Sequence, residues 1–320
     1  MKGTIRSEFG GPKALSVLFI LSMAVTISLS TGCLTKVRTG LEYTDDTGET
    51  IELDHEPQRI ITLSPAITEM VFLLGRGDRV CGRDSACNYP DEAKGILVVS
   101  AGAPNLEMIA ALEPDIVLMD RTLDASGEIH SSIKGLGIPV YRVSPSSVND
   151  VLDNIEDIGR ILGASDEAER IVSDLRGRMD AVLANASRID DASRPVVLHV
   201  VYYDGTADPW AATDSTFSGD MIDIAGGTNT IKGTGALYVQ VPIERLIAAD
   251  PDIIITSQSE PWPTVSRATI LSDPSWEGIQ AVKSGQVHDL EGDWMDRPGP
   301  RCLDGLEAVC ALIMNVTGGG

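Results

Sequence analysis

Glu107 and Glu244 occupy the same place in two copies of one short segment, and no other pair in the sequence carries so clear a chemical implication. Asn105 to Leu118 aligns without gaps to Pro242 to Ile255, at an offset of 137 residues. Each copy reads as a short helix ending in an acidic-Pro-Asp turn that feeds an apolar strand, because Pro cannot continue a helix and the residue before it avoids the α region. A glutamate in the first turn is favoured by the helix dipole. Two equivalent carboxylates, one in each half of the chain, also make a symmetric pair of docking points. The remaining reactive residue types point away from catalysis and from ion binding. His55, His130, His199 and His288 are too few and too scattered to converge with carboxylates as zinc or manganese ligands, and His199 reads as a core residue within a strand. No Gly-x-Ser-x-Gly elbow, Gly-Lys-Ser/Thr phosphate loop or His-Glu-x-x-His pair occurs, so an enzyme is not expected. Cys81 and Cys87 could close a short loop after a strand. Cys302 and Cys310 share an expected C-terminal helix, where their spacing corresponds to roughly 12 Å of rise and forbids a bridge. A cysteine metal site is not expected.

The elements that must position these residues follow from periodicity. Arg59 to Leu63 is a β-branched run followed by Ser64-Pro65, and Ala66 to Leu74 has helical spacing with Gly75 as its stop. Apolar runs at Ile96–Val99, Ile116–Met119 and Val140–Val143, separated by helical stretches, mark a mostly parallel sheet. From Ser165 to Ser187, Ala168, Ile171, Val172, Leu175, Met179, Val182 and Leu183 form one apolar stripe along roughly 35 Å of helix, long enough to span two lobes. The pattern then restarts, with apolar runs at Val196–Val201, Ile253–Ile255 and Val287–Leu290 and a helix near Ser218–Ala225. At 320 residues the chain exceeds one ordinary core. The expectation is an N-terminal lobe over 58–164, a linking helix over 165–188 and a C-terminal lobe over 189–316.

The N-terminus suggests export. Lys2, Arg6 and Lys13 precede an apolar run from Ala14 to Leu29 that is short for a membrane span, which needs roughly 20 apolar residues. Gly32 directly before Cys33 resembles a lipoprotein processing site, although Ser30 stands where Leu is usual. Residues 1–33 are therefore expected to be a signal segment with Cys33 lipidated, and 34–57 a tether. Asp and Glu number 47 against 25 Lys and Arg, a net charge of −22 that repels a phosphate backbone, so nucleic acid is not an expected partner.

From Arg59 to Ile313 the chain resembles the substrate-binding proteins of ABC importers for cobalamin, haem and ferric siderophores. The resemblance is carried by Arg59 to Glu69, Asn105 to Leu118, Gly135 to Val140, Gly226 to Asn229, Val241 to Ile255, Ala281 to Val287 and Asp293 to Arg301, in that order and spacing. It implies an α/β fold of two similar three-layer lobes with mostly parallel sheets, bridged by a single long α-helix (class III), and only modest closure about that hinge. It further implies that Glu107 and Glu244 grip arginines on a permease dimer that works with ATPase subunits. Tyr89, Asp120, Arg121, Tyr203, Trp210, Trp294 and Arg297, with Tyr202 beside them, would face the ligand. Aromatic faces suit a large flat chelate, and arginine suits a carboxylate or phosphate on it. Trp262 and Trp276 read as packing residues, the latter ahead of a strand approach at Ala281-Val282. Ala101 and Asp120 stand where the cobalamin binder has cleft aromatics, and Ala225 where it has a cysteine that would pair with Cys310. The implied protein is a monomer on the outer face of the cell membrane. It has no cofactor, and its cargo is a metal chelate, a corrinoid being favoured and a ferric siderophore or haem the alternative, with a zinc or manganese ion-binding protein as the alternative of another class.

Overall fold

The computed structural model describes residues 40–258 and 265–318, together with Gly3. The signal segment, Cys33, residues 34–39 and Trp262 lie outside the described residues. In chain order the elements are β1 (Leu41–Thr44), β2 (Thr50–Leu53), β3 (Ile60–Thr62), α1 (Pro65–Leu73), β4 (Val80–Asp84), β5 (Val98–Ser100), α2 (Leu106–Ala111), β6 (Ile116–Asp120), α3 (Glu128–Gly135), β7 (Val140–Val143) and α4 (Val148–Ile161). The helix α5 (Ser165–Ala186) leads into β8 (Val196–Tyr202), β9 (Trp210–Ala212), α6 (Phe217–Ile224), β10 (Thr228–Asn229), β11 (Tyr238–Gln240), α7 (Ile243–Ala249) and β12 (Ile253–Gln258). The chain ends with α8 (Arg267–Ser272), α9 (Gln280–Lys283), β13 (Val287–Glu291), α10 (Gly292–Met295) and α11 (Cys302–Thr317).

The first sheet runs β5-β4-β3-β6-β7 and is parallel throughout. The second runs β11-β9-β8-β12-β13 with β10 on β8; it is parallel at β8, β12 and β13 and antiparallel where β9 and β11 join. Alternation along the strands divides the core. Ile60, Ile116 and Leu118 face one cluster while Ile61, Val117 and Met119 face another, and Val197, Ile253 and Ile255 are separated in the same way from Leu198 and Ile254. Helices cover both faces, which is why these strands read as unbroken apolar runs. The cluster on the inner faces is continuous across both lobes. It joins Ile60 and Leu118 to Val197 and Ile255 through Ala168, Ile171, Val172, Leu175, Met179 and Val182 of α5 and Leu303, Leu306 and Val309 of α11. Leu183, expected in the same stripe, is exposed.

The two copies of the repeat share the same turn geometry. Asn105 and Pro242 are the N-caps of α2 and α7, and Glu113 and Asp250 both adopt φ of 44°. The residue before each Pro thus leaves the helix by the left-handed region. Asp115 then accepts from the backbone N–H of Arg59 at 2.9 Å, and Asp252 from that of Val196 at 2.8 Å, so each aspartate ties the incoming strand to its neighbour. A left-handed non-glycine residue costs about 1 kcal/mol, and Glu113 has an exposed side chain. Glu113→Gly should therefore raise the melting temperature by about 2–4 °C in a calorimetric scan. Asp250→Gly should not, because it also removes the acceptor of the Gln280 N–H at 2.7 Å.

Several expectations are corrected. Residues 41–53 are not a tether but an antiparallel hairpin, β1 against β2, packed on the first lobe. Ile51 and Leu53 enter the core from alternate positions of β2, and the Asp45 carboxylate binds the Thr47 and Glu49 N–H groups at 2.9 Å and Arg142 Nε at 3.0 Å. Cys81 and Cys87 are free thiols: Cys81 Sγ is 3.4 Å from the Ile60 carbonyl, and Cys87 Sγ accepts from the Thr68 hydroxyl at 3.0 Å. Burial pushes the Cys87 thiol up to about 11. Cys302 and Cys310 share α11 as buried free thiols, and Ala225 packs in the same cluster as Cys310. Ala281 and Val282 lie in the short helix α9 ahead of β13. Among the described residues, no helix is long and apolar enough to cross a membrane.

Candidate functional site

The carboxyl ends of β3, β6 and β7 in the first sheet open onto the gap between the lobes, the usual place for a ligand in open α/β sheets. A cleft of about 450 Å³ opens there, walled by residues 64–66, 120–123 and 144–146 of the first lobe and 215–217, 237–238 and 296–298 of the second. That volume lies within the usual range for ligand sites.

Asp120 terminates β6 and is 6% exposed, and its Oδ1 accepts from the Thr122 N–H and hydroxyl, both at 2.7 Å. Burial raises its carboxyl above the ordinary value, against the pull of those two bonds. Arg121 follows it, exposed and without a hydrogen bond or ion pair among the described residues. On the opposite wall Asp296 Oδ2 accepts from the Ser257 hydroxyl at 2.6 Å. Tyr238 lines the same cleft and feels the charge of both carboxylates. The residue as a whole is 45% exposed, yet desolvation of its hydroxyl, and then the charges of Asp296 and Asp120, push that group up to about 12.

Beside the cleft an ionic bridge joins the lobes. Arg301 gives two bonds to Glu69 of α1, at 2.6 and 2.8 Å, and a third to Asp293 Oδ2 at 3.0 Å, while its guanidinium lies 4.1 Å from the centre of the Tyr89 ring. Arg297 donates to Asn88 Oδ1 at 2.7 Å, and its Nε is 3.0 Å from Asp293 Oδ1. Burial raises the Glu69 carboxyl in spite of Arg301, whereas Glu69 and Asp293 hold Arg301 firmly in its charged form.

Of the residues expected to face a ligand, Asp120, Arg121 and Arg297 line the cleft. The aromatic ones do not. Tyr89 is half exposed under Arg301, outside the cavity wall. Tyr203 is a core residue: its hydroxyl donates to Asp273 and its ring meets Trp276 edge-on at 5.4 Å between centroids. Tyr202 donates to Asp204 at 3.1 Å, and Trp210 lies opposite it on the antiparallel strand β9. Trp294 packs on α11, where a methyl added at Gly305 would stand 3.0 Å from the Trp294 Cβ. Sequence reasoning missed the apolar residues that do line the cleft, Leu123, Phe217, Leu237 and Tyr238. Leu237 and Tyr238 reach it because β11 pairs back on β9, a long-range contact that local periodicity does not report. Glu107 and Glu244 are exposed in the first turns of α2 and α7. Among the described residues no group of three or more His, Cys, Asp or Glu could hold a metal ion.

Two parallel-centred lobes on one long helix, with an open cleft between them, have the build of a two-lobed binding protein. The chain belongs to the periplasmic binding protein family, whose model matches residues 60–293. It is 29% identical over 275 residues to the ABC transporter substrate-binding lipoprotein YvrC of Bacillus subtilis, covering 84% of each chain. It is 28% identical over 280 residues to a cobalamin-binding protein of Halobacterium salinarum, covering 85% of this chain and 74% of that one. The structure of a possible iron-binding, periplasmic solute-binding protein from Staphylococcus epidermidis superimposes with a TM-score of 0.68 at 26% identity, over 81% of this chain and 99% of the other. The chain is thus a periplasmic binding protein by family, similar over most of its length to an ABC transporter substrate-binding lipoprotein.

Proposed function

We propose that this protein, a monomer held at the membrane by a lipid on Cys33, captures a corrinoid in the cleft and delivers it to an ABC permease dimer. The observation that carries the ligand class is the balance of groups in the cleft. Asp120, Asp296 and the Tyr238 hydroxyl offer acceptors from both walls, while Arg121 is the cleft guanidinium left without a partner among the described residues. A strongly anionic ferric chelate would meet two carboxylates on a chain of net charge −22. A corrinoid instead presents a rim of carboxamide N–H donors to such acceptors and an apolar face to Leu123, Leu237 and Phe217. Leu123 and Leu237 are 54% and 47% exposed, an open apolar patch that a flat ligand would cover. The cobalamin-binding relative from Halobacterium salinarum agrees with this reading. A ferric chelate with an open coordination position is the second reading, favoured by Tyr238, whose oxygen is a suitable donor for ferric iron, and by the possible iron-binding neighbour.

Calorimetric titration of the detergent-solubilised full chain with cobinamide, cobalamin, haem and two ferric siderophores separates these readings. Saturable binding of a corrinoid is expected, weakened about tenfold by Tyr238→Ala as buried aromatic area is lost. Binding of haem or a siderophore alone would replace the corrinoid by the second reading. Binding of zinc or manganese alone would overturn both.

A further inference from the structure

The deepest polar cluster of the second lobe ends on a cleft carboxylate. His199, on β8, is fully buried; its Nδ1 lies 2.9 Å from Ser218 Oγ, and its Nε2 lies 3.2 Å from Ser257 Oγ and 3.8 Å from Asp296 Oδ1. Ser257 and Ser218 are buried as well. This is not a hydrolytic triad, in which a carboxylate orients the imidazole and the serine is open to substrate. Here the carboxylate is bonded to the serine, and the serine is closed off.

Proton counting fixes the direction of each bond. A carboxylate only accepts, so the single Ser257 hydroxyl proton lies on the 2.6 Å bond to Asp296 Oδ2. The contact between Ser257 and His199 Nε2 must then be donated by the imidazole. Nδ1 is left as an acceptor, filled by the Ser218 hydroxyl. The Thr216 hydroxyl gives its own proton to the Thr213 carbonyl at 2.7 Å, so its 3.2 Å approach to Ser218 adds no further bond. We infer that His199 is a positioning residue for the cleft: as the Nε2–H tautomer it turns the Ser257 hydroxyl onto Asp296 and so holds that carboxylate as a fixed, charged acceptor for ligand donors.

The inference rests on the reading that Asp296 faces the ligand. The charged or titratable side chain coupled to the imidazole is Asp296, which in turn couples to Tyr238 on the same wall of the cleft. Burial holds the imidazole below its ordinary pKa and Asp296 pulls it the other way. Loss of the Asp296 charge should therefore lower the protonation midpoint of His199 further.

The test has a ligand-free arm and a ligand arm. In ¹⁵N spectra of histidine-labelled full chain, His199 should show the Nε2–H pattern between about pH 6 and 8 and titrate at lower pH in Asp296→Asn. An Nδ1–H tautomer, or a midpoint indifferent to Asp296→Asn, overturns the assignment. With cobinamide as the probe, His199→Gln should weaken binding about tenfold in the native background and less than about twofold in the Asp296→Asn background. Equal losses in both backgrounds mean a merely structural role and also overturn it. If cobinamide does not bind the native protein, the corrinoid reading fails, while the tautomer and its coupling to Asp296 still decide the assignment.

Discussion

Arg301→Ala is expected to destabilise the protein by about 3–5 kcal/mol in urea unfolding, because it strips a buried carboxylate of its counter-charge. Glu69 is 5% exposed and relies on two Arg301 bonds, and Asp293 loses a third. Burial has already raised the Glu69 carboxyl in the native protein. A raised carboxyl favours the folded state as the pH falls, since the folded chain takes up the proton first. The gain begins near the folded pKa and is complete near the unfolded value of 4.5. Without Arg301 that upward shift is larger, so the deficit of the variant relative to the native protein should narrow between pH 7.5 and about pH 5. The paired replacement Glu69→Leu with Arg301→Met should be close to neutral or stabilising, because it removes the desolvation cost along with the attraction. An Arg301→Ala protein as stable as the native one at pH 7.5 would remove the bridge from any account of how the lobes are joined.

Glu107→Lys combined with Glu244→Lys should abolish uptake in cells while leaving the affinity of the purified protein for its chelate unchanged. Both side chains are exposed, and each stands in the first turn of an equivalent helix on its own lobe. As docking points they would meet two halves of one partner. Reversal costs each helix only about 0.3–1 kcal/mol through the dipole, too little to unfold the chain. Each single reversal should retain part of the transport, since one anchoring point survives. If the double variant loses affinity, or melts as though its core were damaged, the glutamates serve the fold instead of docking.

What could be read from the residues alone follows from how each element is buried. Strands covered on both faces give contiguous apolar runs, so β6, β7, β8 and β12 were plain, and the 22 residues of α5 declared themselves by one long stripe. The repeat revealed the acidic-Pro-Asp turn because its backbone chemistry is local. The hairpin at 41–53 was hidden by its composition: its alternation covers only the four residues of β2, within a segment rich in Thr, Gly and acidic side chains. Strands β9 and β11 have three residues each, too few to show a period, and they decide which aromatics reach the cleft. Tyr202 and Tyr203 are neighbours in sequence, yet the second turns into the core. The Arg301–Glu69 bridge joins residues 232 apart, and no pattern along the chain foretells it.

The apolar cluster that runs without a break from the first sheet through α5 to the second has a thermodynamic consequence for the cargo. Opening the lobes widely would tear that cluster, so an open form can be only a rare member of the resting population, and little binding energy is spent on selecting the competent one. The same rigidity leaves the cleft to fill and empty through the mouth it already has, so that residence time is set by the contacts within it and not by the parting of two halves that share a single interior.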